Sequence, residues 1–259
     1  MRDAGVFGSD PSLWESVGKP LSLPVGEVHV WQADLDRPGL PLPTLAALLS
    51  PEECTRAARF LRDSHRDRFV AARGILRLLL GRYTASPPES LRFVLGPNGK
   101  PELASDCNPD ALHFNRTDSS ALALYAFSRE RRIGIDVEQL PQAFDYESLA
   151  RSFFHPHETA ALLLLPVPQR LAAFFACWTR KEAYLKARGE GLSFGLSRFA
   201  VSLLPNVPPL LLETSFDPSE TLRWSLHAVE VPPGYAACLA VETQSDSPLT
   251  IKQLDIEII

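Results

Sequence analysis

The sequence predicts an α+β fold, built as two similar α+β units side by side in one chain. Three observations carry this reading. Strand-like alternation, helical apolar stripes and strand-like alternation follow one another before residue 140. Pro141 interrupts the pattern, and the same order of elements restarts after it. No sequence repeat accompanies the restart, so the likeness is one of build. The expected division is a loose arm over 1–25, an N-terminal unit over 26–140 and a C-terminal unit over 141–259.

Residues 1–25 are rich in Gly, Ser and Pro and show no period. Glu27–Ala33 alternates Val28, Val30 and Ala33 with Glu27, His29 and Gln32, the mark of a first strand. Ser50-Pro51-Glu52-Glu53 is a helix start: a capping serine, proline in the first turn and Glu53 at the capping-box position. Helix is expected to about Arg62 and again from Ser64 to Tyr83. There Phe69, Ala72, Leu76, Leu79, Leu80 and Tyr83 form an apolar stripe, and Arg66, Arg73 and Arg77 lie on another face. Leu91–Leu95 reads as a short strand before the tight loop Gly96–Pro101, which presents Lys100. Leu112–Asn115 and Ala121–Phe127 read as strands with Arg116–Ser120 as the loop between them. In the second unit, helices are expected over Tyr146–Phe154, Pro156–Leu165 and Pro168–Arg188, the last closed by Gly189-Glu190-Gly191. Strands follow at Phe199–Leu204, Arg223–Val231 and Tyr235–Val241.

At 259 residues, 45% hydrophobic and 22% charged, the chain can bury a sizeable core. No apolar run is long enough to span a membrane, and no basic stretch leads into an apolar one at the start, so a cytoplasmic protein is expected. The four cysteines are scattered without paired spacing, which argues against a cysteine zinc site or a disulfide framework. Net charge is −5, yet residues 51–100 hold ten Arg/Lys against five acids. A basic segment in an acidic protein favours a small anionic ligand over bulk nucleic-acid binding.

Ile133–Glu138 carries the chemistry. Ile133, Ile135 and Val137 alternate with Gly134, Asp136 and Glu138, so both carboxylates share one strand face. Like charges on one face repel, and acids are depleted from strands, so a cation is expected between them. An all-oxygen donor set suits Mg²⁺. A strand end running into a solvated turn at Gln139-Leu140-Pro141 would give the same letters, and both readings stand at this point. On the helix 171–188, Glu182 falls in the sector of Leu171, Phe175, Trp178 and Leu185, with Lys186 one turn on. An i,i+4 ion pair, worth about a few tenths of a kcal/mol, is the simplest account. Such a surface pair, however, belongs on the polar face with Arg180 and Lys181, and a carboxylate among apolar residues needs a partner.

Gly134-Ile135-Asp136-Val137-Glu138 followed by Trp178-Thr179-Arg180-Lys181-Glu182-Ala183-Tyr184-Leu185-Lys186-Ala187 resembles the 4′-phosphopantetheinyl transferases of the larger, surfactin-synthetase-activating type. Phe153-Phe154 with Glu158, Gly99-Lys100-Pro101 and His113-Phe114-Asn115 extend the resemblance over roughly residues 27–242. It implies a monomer of two pseudo-symmetric α+β halves with the active site in the cleft between them. The implied activity moves the phosphopantetheine arm of coenzyme A onto a serine of an apo acyl or peptidyl carrier protein and releases 3′,5′-ADP. Asp136, Glu138 and Glu182 would hold Mg²⁺. Glu182 or a metal-bound water would take the serine proton, and Lys186 would meet a phosphate oxygen. Arg56, Lys100, Arg73 and Thr117 would contact coenzyme A. Gly134 would allow a close approach of backbone or ligand.

Two positions depart from the family pattern. Asp118 stands where a histidine usually meets the nucleotide phosphates, and Glu53 where relatives carry a base. Both lessen positive charge at one end of the site, which weakens coenzyme A binding unless Asp118 pairs with Arg116 or is protonated. Two alternatives follow: a catalytically impaired relative that binds carrier protein or nucleotide, and a Mg²⁺-dependent phosphohydrolase. The sequence does not choose among fatty-acid, polyketide and peptide pathways.

Overall fold

A computed structural model describes residues 19–204, 207–244 and 248–256. The chain begins with β1 (Glu27–Asp34), α1 (Leu42–Ala47), α2 (Pro51–Ala57) and α3 (Asp63–Thr84). A small hairpin of β2 (Phe93–Leu95) and β3 (Pro101–Leu103) leads to β4 (Leu112–Ser119), β5 (Leu122–Arg129) and β6 (Ile133–Gln139). Next come α4 (Tyr146–Phe153), α5 (Pro156–Leu164) and α6 (Val167–Arg188). The remainder comprises β7 (Phe199–Val201), β8 (Leu211–Thr214), α7 (Glu220–Arg223), β9 (Trp224–Ala228), β10 (Tyr235–Glu242) and β11 (Thr250–Asp255).

Local signals act as expected at several ends. Ser50 Oγ accepts from Glu53 N at 3.3 Å, and the Glu53 carboxylate accepts from Ser50 N at 3.0 Å, closing the capping box of α2. Gly189, at φ 76°, ends α6 in the left-handed conformation that glycine adopts at no steric cost.

Two sheets organise the molecule. The first has the order β11-β1-β5-β4 and the second β6-β10-β9. β6 therefore joins the second sheet by antiparallel pairing with β10, with Cys238 opposite Asp136. β11, from the far end of the chain, pairs in parallel with β1. Chain segments on either side of residue 140 are thus exchanged between the sheets. Three cores follow from the two faces of each sheet. Trp31, Ala123, Tyr125 and Phe127 pack on α3, while Leu226, Cys238 and Ala240 pack on α6. Val28, Val30, Leu124, Ile133, Ile135, Val137 and Leu239 fill the space where the sheets face each other.

The sheets meet edge to edge at β4 and β6, and there side chains replace the backbone ladder. Ile135 N donates to Asn115 Oδ1 at 2.8 Å, and Gln139 N donates to Ser119 Oγ at 3.0 Å. α6 crosses directly over β6 at Gly134. This settles the close approach expected there in favour of backbone.

Two expectations are revised. β4 runs through to Ser119 and the turn falls at Ser120, φ 55°, so Thr117 and Asp118 lie on a strand rather than in a loop. Arg180 and Lys181 do not mark a solvated face. Arg180 donates to the carbonyls of Ser202 and Leu204, and Lys181 to those of Leu196 and Phe199 while pairing with buried Glu158 at 2.8 Å. α6 is covered on that side too, and the helical period could not show it because both cations are matched by polar groups distant in sequence. β11 carries no clear alternation and was not foreseen. The loose arm expected over 1–25 lies largely outside the described residues, but Leu21 N donates to Arg82 O at 2.9 Å and Leu23 is buried. Among the described residues no helix is long and apolar enough to cross a membrane.

Candidate active site

β6 and α6 bring together the carboxylates separated by over forty residues. The period-two reading of β6 holds: its odd-numbered residues enter the inter-sheet core, and Gly134, Asp136 and Glu138 face α6. Asp136 is 3% exposed. Its Oδ1 accepts from Lys186 Nζ at 2.6 Å and from Thr117 Oγ1 at 3.2 Å, and Thr117 Oγ1 itself accepts from Lys186 at 3.3 Å. Lys186 thus turns to Asp136, and the i,i+4 pair does not account for Glu182. Glu138 accepts from Ser119 Oγ at 2.9 Å.

The charge balance is incomplete. Two buried oxygens, Asp136 Oδ2 and Glu182 Oε1, have no hydrogen-bond partner. Burial, then the neighbouring Asp136 carboxylate, pushes Glu182 up to about 7. Burial also raises Asp136, against the pull of Lys186, and burial plus the Asp136 charge raises Glu138. The shifts of the two glutamates signal anions packed together without enough positive charge. A divalent cation would supply it, and oxygen-only donors fit a hard ion. The three residues do not bring one oxygen each within 4.8 Å of one another, so a shared ion would draw them closer.

Beside this cluster lies a groove of about 370 Å³ lined by Arg56, His65, Arg68, Arg73, Arg116 and Asp118, with Phe60 and Phe69. Arg56 stacks over Phe69 at 5.3 Å and has no carboxylate partner among the described residues. The other arginines are partly neutralised: Arg68 by Asp36 at 2.7 Å, Arg73 by Glu53 at 2.8 Å and Arg116 by Asp118 at 2.5 Å. The Asp118 charge reaches Glu138 and helps raise it, which ties the groove to the carboxylates.

The two departures separate here. Asp118 pairs with Arg116, the condition under which its charge is tolerable. Glu53 is 7% exposed, serves the cap of α2, and pairs with Arg77 at 2.6 Å as well as Arg73. It neutralises two helix arginines and belongs to the fold. Arg77, which also donates to the carbonyls of Pro88 and Leu91, is likewise buried structure.

Lys100 lies apart from the groove. Its Nζ donates to Ile133 O at 2.8 Å, and burial pushes it down to about 8. Asn98 of the same loop donates to Gly189 O at 3.0 Å, so the β2–β3 hairpin is tied to the end of α6. The structure thus joins Thr117, Asp136 and Lys186 by hydrogen bonds and Glu138 and Glu182 by electrostatics. Arg56, Arg73 and Asp118 line the adjoining groove, and Lys100 stands elsewhere. Sequence reasoning gave Asn115 and Ser119 no role at the site, and named Arg116 only as the partner of Asp118. Ser119 shares the alternation of Asn115 and Thr117, a signal hidden because Arg116–Ser120 read as a loop.

Comparison with known proteins gives three findings. The sequence model of the 4′-phosphopantetheinyl transferase superfamily matches residues 132–240, a span that includes Asp136, Glu138, Glu182 and Lys186. The 4′-phosphopantetheinyl transferase HetI of Nostoc sp. is 44% identical over 191 residues, covering 74% of this chain and 80% of that protein. The 4′-phosphopantetheinyl transferase Sfp of Bacillus subtilis is 29% identical over 160 residues, 61% of this chain and 67% of its own length. The chain belongs to the 4′-phosphopantetheinyl transferase family.

Proposed function

We propose that this protein transfers the 4′-phosphopantetheine arm of coenzyme A to a serine of an acyl or peptidyl carrier protein, with Mg²⁺ held by Asp136, Glu138 and Glu182. One observation carries the reading: the two partnerless carboxylate oxygens, Asp136 Oδ2 and Glu182 Oε1, lie in a cluster where the Asp136 charge raises both Glu138 and Glu182, beside an arginine-lined groove. The bound ion would neutralise charge that builds on the phosphoryl oxygens.

The chain's own residues supply the rest. Arg56 and Arg73 bind the nucleotide phosphates of coenzyme A, and Arg56 keeps its full charge for that contact. Lys186 holds Asp136 in place and offers its remaining donors to a phosphate oxygen. Glu182 is placed to accept the proton of the attacking serine hydroxyl. Thr117 fixes the Asp136 rotamer that Lys186 reads. Lys100 acts by holding β6 beneath α6. The two halves in one chain supply both sides of the site, so a monomer suffices.

The test is to incubate the protein with coenzyme A, MgCl₂ and an apo carrier protein and to weigh the carrier by intact-mass spectrometry. One phosphopantetheine group per carrier and an equal release of 3′,5′-ADP are expected. Asp136→Ala and Glu182→Ala should each slow transfer about a hundredfold or more, the scale of losing a preorganised charge-stabilising group. Full transfer by either variant overturns the site assignment. Release of 3′,5′-ADP without any carrier would replace the transferase reading with hydrolysis.

A further inference from the structure

A second cluster lies away from the carboxylates, where α5 begins. His155 caps this helix and His157 sits in its first turn. Glu213 comes from β8, in a different part of the chain. Buried Glu158 brings them together. Its Oε1 accepts from Val201 N on β7 at 2.7 Å and its Oε2 from His155 N at 2.8 Å, which locks α5 to β7. β7 pairs with β8, placing Ala200 opposite Glu213, so the Glu213 carboxylate is delivered to both imidazoles.

The geometry there is unusual for a plain ion pair. His157 Nδ1 lies 3.0 Å from Glu213 Oε1, and His155 Nδ1 lies 3.6 Å from the same oxygen. His155 Nδ1 also accepts from His157 N at 3.3 Å, so its lone pair serves the helix cap, and a bound metal would take it over from that long hydrogen bond. Glu213 faces the positive end of α5 and is stabilised there without an ion. Two imidazole nitrogens on one oxygen are not explained that way. The separations of 3.0 and 3.6 Å bracket the edge of about 3.3 Å that a tetrahedral zinc site with ordinary bond lengths requires. Among the described residues this is the one set of three such side chains whose donor atoms lie within 4.8 Å of one another.

We propose that His155, His157 and Glu213 form a site for a divalent transition metal of the zinc class, separate from the Mg²⁺ carboxylates, that fastens the β7–β8 hairpin to α5. Imidazole nitrogen selects zinc-like ions over Mg²⁺. Three protein ligands leave a fourth position for water. The metal joins two segments already held by Glu158, so it adds a second clamp on a preformed base.

The experiment is calorimetric titration of ZnCl₂ into the full chain in excess MgCl₂. One zinc per chain is expected at this site. His157→Ala and Glu213→Gln, both at exposed side chains, should each weaken it by about tenfold or more, and Asp136→Asn should leave it in place. Equal zinc affinity in the parent and in His157→Ala overturns the proposal. So does zinc binding that is lost in Asp136→Asn instead, or the absence of any zinc uptake.

Discussion

Gly134 and Ala183 stand so close that a Cβ added to the glycine would lie 2.2 Å from the Ala183 carbonyl oxygen and 2.2 Å from the Ala187 amide nitrogen. β6 and α6 therefore touch backbone to backbone, and this contact carries Glu182 and Lys186 to the face that holds Asp136 and Glu138. Gly134→Ala is expected to cost at least about 1–3 kcal/mol, the range for overpacking a filled core, and more here because backbone cannot step aside. Thermal melting should show a lower midpoint, with transfer activity lost in the same variant.

Ser119 joins the seam to the site: its hydroxyl donates to Glu138 and accepts from Gln139 N. Ser119→Ala should raise the Mg²⁺ concentration for half-maximal rate by about tenfold, as for loss of a group that orients a metal ligand. The KM for carrier protein should stay unchanged, and Ser119→Thr should restore the metal response. An equal loss across all substrates would make Ser119 merely structural.

Glu182 sets a pH dependence. Its pKa rises from an ordinary 4.5 to about 7, so the folded state holds its proton more tightly than the unfolded chain. The stability this contributes is present below 4.5 and is lost as pH rises through about 7. In metal-free protein, Glu182→Gln should therefore gain on the parent in urea midpoint over that window and keep a constant difference above it. A Mg²⁺ ion held there as proposed competes with the same proton, so its affinity for the parent should fall as pH drops below about 7. An unchanged difference from pH 4.5 to 8 would remove Glu182 from the buried cluster.

Asp118 takes up the charge of Arg116 in the groove. Asp118→Ala should free that guanidinium and tighten coenzyme A binding by about three- to tenfold at low salt, an exposed charge effect screened near 0.5 M. Fluorescence titration at both salt levels measures it. Weaker binding in the variant would mean that Arg116 needs Asp118 to hold its position.

The site was legible in sequence wherever its signal was local and periodic. Alternation in 133–138 put Asp136 and Glu138 on one face, and the helical period put Glu182 among apolar residues. Both periods are properties of a single element, and a few consecutive letters suffice to read them. Glu53 was legible as a cap, but its pairing with two arginines was not, for the opposite reason. Its letter signals a cap, a surface charge or a ligand contact equally well, and only Arg73 and Arg77 arriving from α3 make it part of the fold.

The sequence by itself determined the α+β class, the helix ends at Ser50 and Gly189, and the carboxylates with their faces. Tertiary structure alone decided that β6 belongs to the second sheet and β11 to the first, because strand partners are chosen by edges that meet after folding. It decided that Lys186 pairs with Asp136 rather than Glu182, since the strand passes beneath the helix at that turn. It also decided that Lys181 is buried and Arg56 open, because the burial of a charge depends on partners that no helical period contains.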